Sequence, residues 1–259
     1  MKLYLQLFLS TLLFGCTSEI KETPDVIPDT IVVDDTPKQY VPTEELIRNY
    51  VYKSLEISDD EKITIETFEA DCNGDDSLDI VITVNLLDRA LKEAIKSNSI
   101  AKRAELGYMG RFNYMIYMDG ASRSLSKAIA IPSSPHGKLA VSFENIRTEH
   151  YKDILIDFRI RNSGFREFYS VVNEIPRRVL QVKLFDGLGD STYEGYTIGY
   201  KPGRYSLTKD VIVYKGTFDN PTFDDPLGSY QFTPEITATQ EIDRQWFFND
   251  GQFKYFTDK

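Results

Sequence analysis

The chain has 259 residues, of which 41% are hydrophobic and 13% aromatic, and its formal net charge at pH 7 is −10. This composition is typical of a folded globular protein and argues against a disordered chain. The basic residues are scattered, with no run longer than Arg177-Arg178. A nucleic-acid surface needs clustered Lys and Arg to displace counterions, so we predict no nucleic-acid partner.

The first sixteen residues carry an export pattern. Lys2 is followed by an apolar run from Leu3 to Phe14, which is shorter than the roughly 20 residues needed to cross a bilayer. This pattern predicts a signal peptide over residues 1–15, and one alternative is an ordinary cleaved peptide with an incidental cysteine. The stretch 13–16, Leu-Phe-Gly-Cys, resembles the bacterial lipobox. The resemblance implies that Cys16 is acylated and anchors the chain to a lipid membrane of the cell envelope.

Residues 16–42 have the composition of a tether. They contain four prolines and several acidic residues without an amphipathic period, and the prolines are Pro24, Pro28, Pro37 and Pro42. Such a segment favours an extended, partly polyproline conformation. We therefore predict a single β-rich domain over residues 43–259, held away from the membrane by this tether.

Two helices are predicted in the first third of that domain. Thr43 is the expected N-cap of the first, with Glu44 and Glu45 in its first turn and apolar residues at helical spacing as far as Leu55. The second is a helical insertion near 87–106, which the Ser-Asn-Ser sequence at 97–99 could divide into two pieces.

The rest of the domain is predicted to consist of β-strands. Apolar, β-branched and aromatic residues recur in short segments that Gly, Pro, Asn and Asp separate. The Asp-Gly pair at 250–251 additionally predicts a tight turn that joins strands 246–248 and 252–256. The fold class is therefore mainly β and antiparallel, either a partial propeller or sandwich-like. The other predicted strands are 80–84, 112–118, 127–131, 139–143, 154–160, 167–172, 179–185, 193–200 and 211–214.

One motif carries recognisable chemistry, the sequence Asp-Cys-Asn-Gly-Asp-Asp-Ser-Leu-Asp at 71–79, which runs into an apolar strand. Side-chain oxygens recur at Asp71, Asn73, Asp75 and Asp79. Ca²⁺ takes six to eight oxygen ligands, and a loop with an oxygen at alternate residues can surround it. The pattern is not an EF-hand, because the sixth and twelfth positions lack the required Gly and Glu. An acidic turn closed by Asn-Gly is the alternative interpretation.

The motif resembles the short calcium loop of FG-GAP/VCBS repeats, which occur in integrin-like and bacterial surface proteins. The resemblance implies that Ca²⁺ is the bound ion and that it stabilises the entry to the following strand. Asp76 departs from the pattern at a position that is usually Gly. The ligands that the resemblance implies are Asp71, Asn73 and Asp75 through their side chains, Ser77 through its carbonyl, and Asp79 through its carboxylate.

The sequence contains no nucleophile elbow, zinc-protease helix or phosphate-binding loop. The two histidines, His136 and His150, are isolated, and acidic neighbours disfavour a thiolate at Cys72. We therefore predict a binding or interaction module for an unknown protein or glycan ligand, and not an enzyme. Two alternatives remain open: a polysaccharide hydrolase with an unidentified carboxylate pair, and an inhibitor or immunity-type protein.

Overall fold

The computed structural model describes residues 41–97, 110–225 and 228–257. The predicted signal peptide, Cys16 and the predicted tether as far as residue 40 lie outside these ranges. Residues Pro42 to Lys259 form one compact unit. Within the described ranges, no helix combines the length and the apolar character needed to cross a membrane.

Both predicted helices are present, and a short third helix follows later in the chain. The N-cap of the first helix, α1, is Pro42 and not the predicted Thr43, which is instead the first helical residue. Pro42 has an extended backbone, and no side chain caps the helix. The Pro42 carbonyl accepts the backbone N–H of Leu46 at 2.9 Å. Residues 98–106 of the predicted second helix lie outside the described residues. The helices are α1 (Thr43–Ser54), α2 (Leu87–Lys96) and α3 (Gly228–Gln231).

The first sheet has four antiparallel strands in the order of the sequence. Its first strand was not predicted, because it lies at the sheet edge and its half-exposed residues do not form an apolar segment. The strands are β1 (Thr64–Ala70), β2 (Asp79–Asn85), β3 (Asn113–Met118) and β4 (Ile129–Ala130).

The second sheet has eight antiparallel strands in the order β12-β11-β10-β9-β8-β7-β6-β5. The prediction of a mainly β, antiparallel fold is thus confirmed. The sheet divides into two halves, because β8 and β9 pair only at Phe185–Gly195 and Asp186–Glu194. The strands are β5 (Ala140–Glu144), β6 (Asp153–Ile160), β7 (Ser163–Val172), β8 (Ile175–Asp186), β9 (Glu194–Lys201), β10 (Asp210–Thr217), β11 (Thr237–Asn249) and β12 (Lys254–Phe256).

The two halves of the second sheet, β5–β8 and β9–β12, lie in different layers of the domain. Ile156 of β6 joins a core with Val81 and Tyr117 of the four-stranded sheet, whereas its neighbour Leu155 joins a core with Val211 of β10. Successive side chains of a strand point to opposite faces, so β6 is buried on both faces. The four-stranded sheet lies on one side of it, and the β9–β12 half of its own sheet, the outer layer, lies on the other. Helix α1 covers the other face of the four-stranded sheet. This layering is the sandwich-like arrangement.

The last hairpin differs from the predicted tight Asp-Gly turn. Its strands begin to pair at Asn249–Lys254, so the connection has four residues, 250–253. The left-handed residue is Phe253, at a φ of 51°, and not Gly251. The Asn249 side chain stabilises the longer turn, because its Oδ1 accepts the backbone N–H of Gln252 at 3.0 Å.

Candidate metal loop

The predicted calcium loop connects β1 to β2 and is built from three successive Asx turns. Asp71 Oδ1 accepts the backbone N–H groups of Asn73, at 3.2 Å, and Gly74, at 2.7 Å. Asn73 Oδ1 accepts the N–H of Asp75 at 3.0 Å. Asp75 Oδ1 accepts the N–H of Ser77 at 2.8 Å. Asp and Asn side chains bond readily to the backbone two residues on, so the alternation in the sequence itself produces this conformation.

Two residues of the loop have a left-handed backbone. Gly74 has a φ of 85°, and a Cβ at this position would lie 2.9 Å from Cδ1 of Tyr151. Asp76 has a φ of 64°. This is the residue at which the motif usually has Gly, and the loop adopts the glycine-like conformation because Asp tolerates it better than most residues.

Asp79, the last residue of the motif and the first of β2, is completely buried. Its Oδ2 accepts the N–H of Cys72 at 2.8 Å, and its Oδ1 accepts the N–H of Gly120 at 2.9 Å. Burial raises the pKa of the Asp79 carboxyl, and the two N–H bonds act in the opposite direction. The side chain therefore joins the start of the loop to the turn that follows β3.

Asp119 is a member of the site that the sequence analysis missed. It is 3% exposed, and its Oδ2 accepts Nδ2 of Asn73 at 2.8 Å while its Oδ1 accepts the N–H of Ser122 at 2.7 Å. Asn73 Nδ2 also donates to Oδ2 of Asp75 at 3.3 Å. One amide group thus lies between two carboxylates, which Asp119 and Asp75 supply from different parts of the chain.

The chemistry of these side chains fits Ca²⁺, whose ligands are carboxylate and amide oxygens. Asn73 exposes its NH₂ group to Asp75 and Asp119, and a half-turn of the amide would replace that donor with its oxygen. Asp79, by contrast, has both oxygens committed to backbone N–H groups. Within residues 41–97, 110–225 and 228–257, no group of three or more His, Cys, Asp and Glu side chains is arranged to hold a metal ion.

Cys72 and Tyr117 lie behind the loop in the buried core. Burial, followed by the charge of Asp79, raises the pKa of the Cys72 thiol. The same two causes raise the pKa of the Tyr117 hydroxyl. A protonated, fully buried thiol cannot act as a nucleophile towards a substrate in solution.

The remaining candidates from the sequence are separate from this loop. His136 is half-buried with its ring centroid 5.7 Å from that of Tyr230, and burial lowers its pKa. His150 is exposed, and its backbone N–H donates to Oγ1 of Thr148 at 3.2 Å. A second acidic turn occurs at residues 186–190, Asp-Gly-Leu-Gly-Asp, where Asp186 binds Lys183 and the hydroxyl of Ser163. These local contacts account for the positions of His136, His150 and Asp186.

A cleft of about 310 Å³ opens where β8 and β9 separate. Its floor is the inner face of the outer layer, to which Tyr196, Val213 and the half-buried Trp246 contribute. The guanidinium of Arg244 lies 5.7 Å from the Trp246 ring centroid. Among the other aromatic residues of the last hairpin, Phe247, Phe248 and Tyr255 are buried, and Phe253 and Phe256 are half-buried.

No protein family model matches this chain, and the comparisons with curated proteins and with solved structures also give no match.

Proposed function

We propose that this protein is a lipid-anchored component of the cell envelope whose β domain binds an extended segment of a partner protein. The partner lies in the cleft between β8 and the outer layer, and Ca²⁺ in the Asp71–Asp79 loop stabilises the domain. The observation that carries the proposal is the separation of β8 from β9 after only two residue pairs.

The edge of β8 supports an extended polypeptide as the partner. Three consecutive residues, Gln181, Val182 and Lys183, line the cleft. Side chains of a strand alternate between its faces, so consecutive residues line one cleft only along the strand edge. A strand edge presents backbone N–H and C=O groups, and these are the groups that an added strand pairs with.

The surface beside this edge suits the side chains of such a segment. Tyr196, Val213 and Trp246 form an apolar floor, and Asp243 and Arg244 supply opposite charges at the rim. A cleft with an aromatic floor and a few polar groups is the usual form of a binding site. A bound strand would place alternate side chains on this floor while its backbone pairs with β8.

Trp246 is the only tryptophan in the chain, so its fluorescence reports on the cleft directly. We expect extended seven-residue peptides with apolar residues at alternate positions to shift the emission of Trp246 in a saturable titration. Tyr196→Ala removes part of the floor and should weaken binding about tenfold, which is the effect of losing one well-packed aromatic contact.

Ile242→Ala is the matched control for this titration. Ile242 is 47% exposed and pairs with Tyr214, outside the cleft, so its loss should leave peptide affinity unchanged. The peptide proposal is overturned if no peptide changes the emission. It is also overturned if only saccharides do, since the ligand would then be a glycan.

Removal of Ca²⁺ gives a separate prediction for the loop. We expect a chelator to lower the melting temperature of the purified protein and added Ca²⁺ to restore it, because a bound ion stabilises the folded state that binds it. Asp75→Ala removes a ligand that is exposed and makes no contact with the core, so this variant should lose the calcium response.

The control for the calcium experiment is Asp190→Ala in the second acidic turn. Asp190 accepts a hydrogen bond from Asn162 and belongs to a different loop, so this variant should retain the full response to chelation. A melting temperature that is the same with and without chelator in the unmodified protein would remove Ca²⁺ from the proposal.

A further inference from the structure

Arg159 of β6 is a half-buried cation with an incomplete set of partners. Its Nη1 donates to the backbone carbonyl of Phe232 at 2.9 Å. Its Nε and Nη2 are both buried and have no hydrogen-bond partner among the described residues. No Asp or Glu of the described ranges forms an ion pair with it, although such pairs are frequent elsewhere on this sheet.

Aromatic rings surround the guanidinium. Its carbon lies 4.7 Å from the ring centroid of Phe185 and 5.9 Å from that of Tyr230. Gly164 pairs with both Arg159 and Phe185, and a Cβ on this glycine would lie 2.2 Å from Cε1 of the Phe185 ring. The glycine therefore provides the space in which the ring can lie beside the cation.

These contacts leave the cation under-compensated. Burial lowers the pKa of Arg159 to about 10, which is the direction expected when the charged form is removed from water without an anion nearby. Aromatic faces attract a cation, but they do not accept hydrogen bonds from Nε and Nη2 at the strength of a carboxylate. Unpartnered buried donors of this kind are rare in native proteins and call for a partner.

A second arginine on the same sheet shows which chemical group can supply such a partner. Arg166 of β7 donates from Nε to Oδ1 of Asp157 at 2.6 Å and from Nη2 to Oδ2 at 2.7 Å. These are the same two nitrogens that lack partners in Arg159. They form the parallel pair of N–H groups that matches the two oxygens of a carboxylate or a phosphate.

We infer that Arg159 binds a small oxyanion, a carboxylate or a phosphate group, through Nε and Nη2, with the rings of Phe185 and Tyr230 as apolar walls. Phe232, whose carbonyl accepts from Nη1, also lines an open groove of about 920 Å³. The groove is therefore lined by one of the residues to which the guanidinium is hydrogen-bonded. This site is distinct from the cleft at Trp246 and from the Asp71–Asp79 loop, and neither is needed for it.

Thermal unfolding of the purified protein tests this inference. The melting temperature is measured in sodium chloride and with sodium phosphate or sodium acetate added at constant ionic strength. We expect a saturable rise with at least one of the two anions, because a ligand that binds only the folded state raises its stability with concentration. The anion that acts at the lower concentration distinguishes a phosphate site from a carboxylate site.

Three variants assign the effect to Arg159. Arg159→Lys retains the charge but loses the parallel N–H pair, so the anion concentration for half the effect should rise at least tenfold. Arg159→Met removes the charge and should abolish the effect. Arg166→Lys disrupts a pair that is already filled by Asp157, so it should lower the starting melting temperature and leave the response to anions intact.

The absence of any anion effect in the unmodified protein overturns the inference. An equal effect in Arg159→Met also overturns it, because the anion would then bind elsewhere on the surface. If Arg159→Met does not fold, the comparison between the unmodified protein and Arg159→Lys decides the question, since an unchanged response in the lysine variant contradicts recognition by the two parallel N–H groups.

Discussion

We expect Asp79→Ala to lower the free energy of unfolding by about 3–5 kcal/mol, measured in the presence of a chelator. The substitution leaves two backbone N–H groups without an acceptor, the buried one of Cys72 and the part-buried one of Gly120. Each unsatisfied buried donor costs about 1–3 kcal/mol, and bonds to a charged acceptor lie at the upper end. Removal of a carboxyl whose pKa is raised by burial offsets part of this loss. Urea unfolding followed by the fluorescence of Trp246 measures the change.

Asp75→Ala is the control for this experiment. Asp75 belongs to the same loop and also accepts a backbone N–H, from Ser77, but it is exposed to solvent. Water replaces its hydrogen bond, so the loss in the same chelator should be about 1 kcal/mol or less. Equal losses in the free energy of unfolding for the two variants would show that the hydrogen bonds of the buried Asp79 stabilise the protein no more than that of the exposed Asp75.

The local part of the candidate site was predictable from the sequence, and the long-range part was not. The alternation of Asp71, Asn73 and Asp75 generates successive Asx turns through hydrogen bonds between residues two apart. The local sequence is therefore enough to predict the conformation of the loop. Asp119 joins Asn73 across 46 positions. This contact exists because β2 and β3 pair with Ile80 opposite Met118, which brings Asp79 and Asp119 to the same end of the sheet.

The same distinction applies to the fold. Buried strands such as β6 were predicted because both of their faces pack against a core, which requires apolar residues at successive positions. The first eight residues of β11 are exposed, and their polar sequence does not indicate a strand. They are extended because β10 pairs with them, for example Thr217 with Thr237. The cleft at Trp246 likewise depends on where β8 and β9 separate, which no local pattern specifies.

We expect Gly120→Ala to lower the free energy of unfolding by about 2–4 kcal/mol. A Cβ on Gly120 would lie 2.2 Å from the carbonyl oxygen of Leu78 and 2.7 Å from its carbon. Both atoms belong to the backbone just before β2, so no side chain can rotate to relieve the overlap, and the backbone itself must shift. Any such shift also lengthens the hydrogen bond from Gly120 to Oδ1 of Asp79.

Gly137→Ala is the matched control, since a Cβ there would meet Cβ and Cγ of Arg159 at 3.5 Å and the Ser134 carbonyl oxygen at 3.8 Å, which are ordinary contact distances. Its expected loss is about 1 kcal/mol or less. The double variant of Asp79→Ala with Gly120→Ala then tests the mechanism. If the Gly120 substitution acts by breaking the bond to Asp79, the combined loss is smaller than the sum of the single losses, because one bond cannot be lost twice. A strictly additive result would place the damage in the backbone overlap alone.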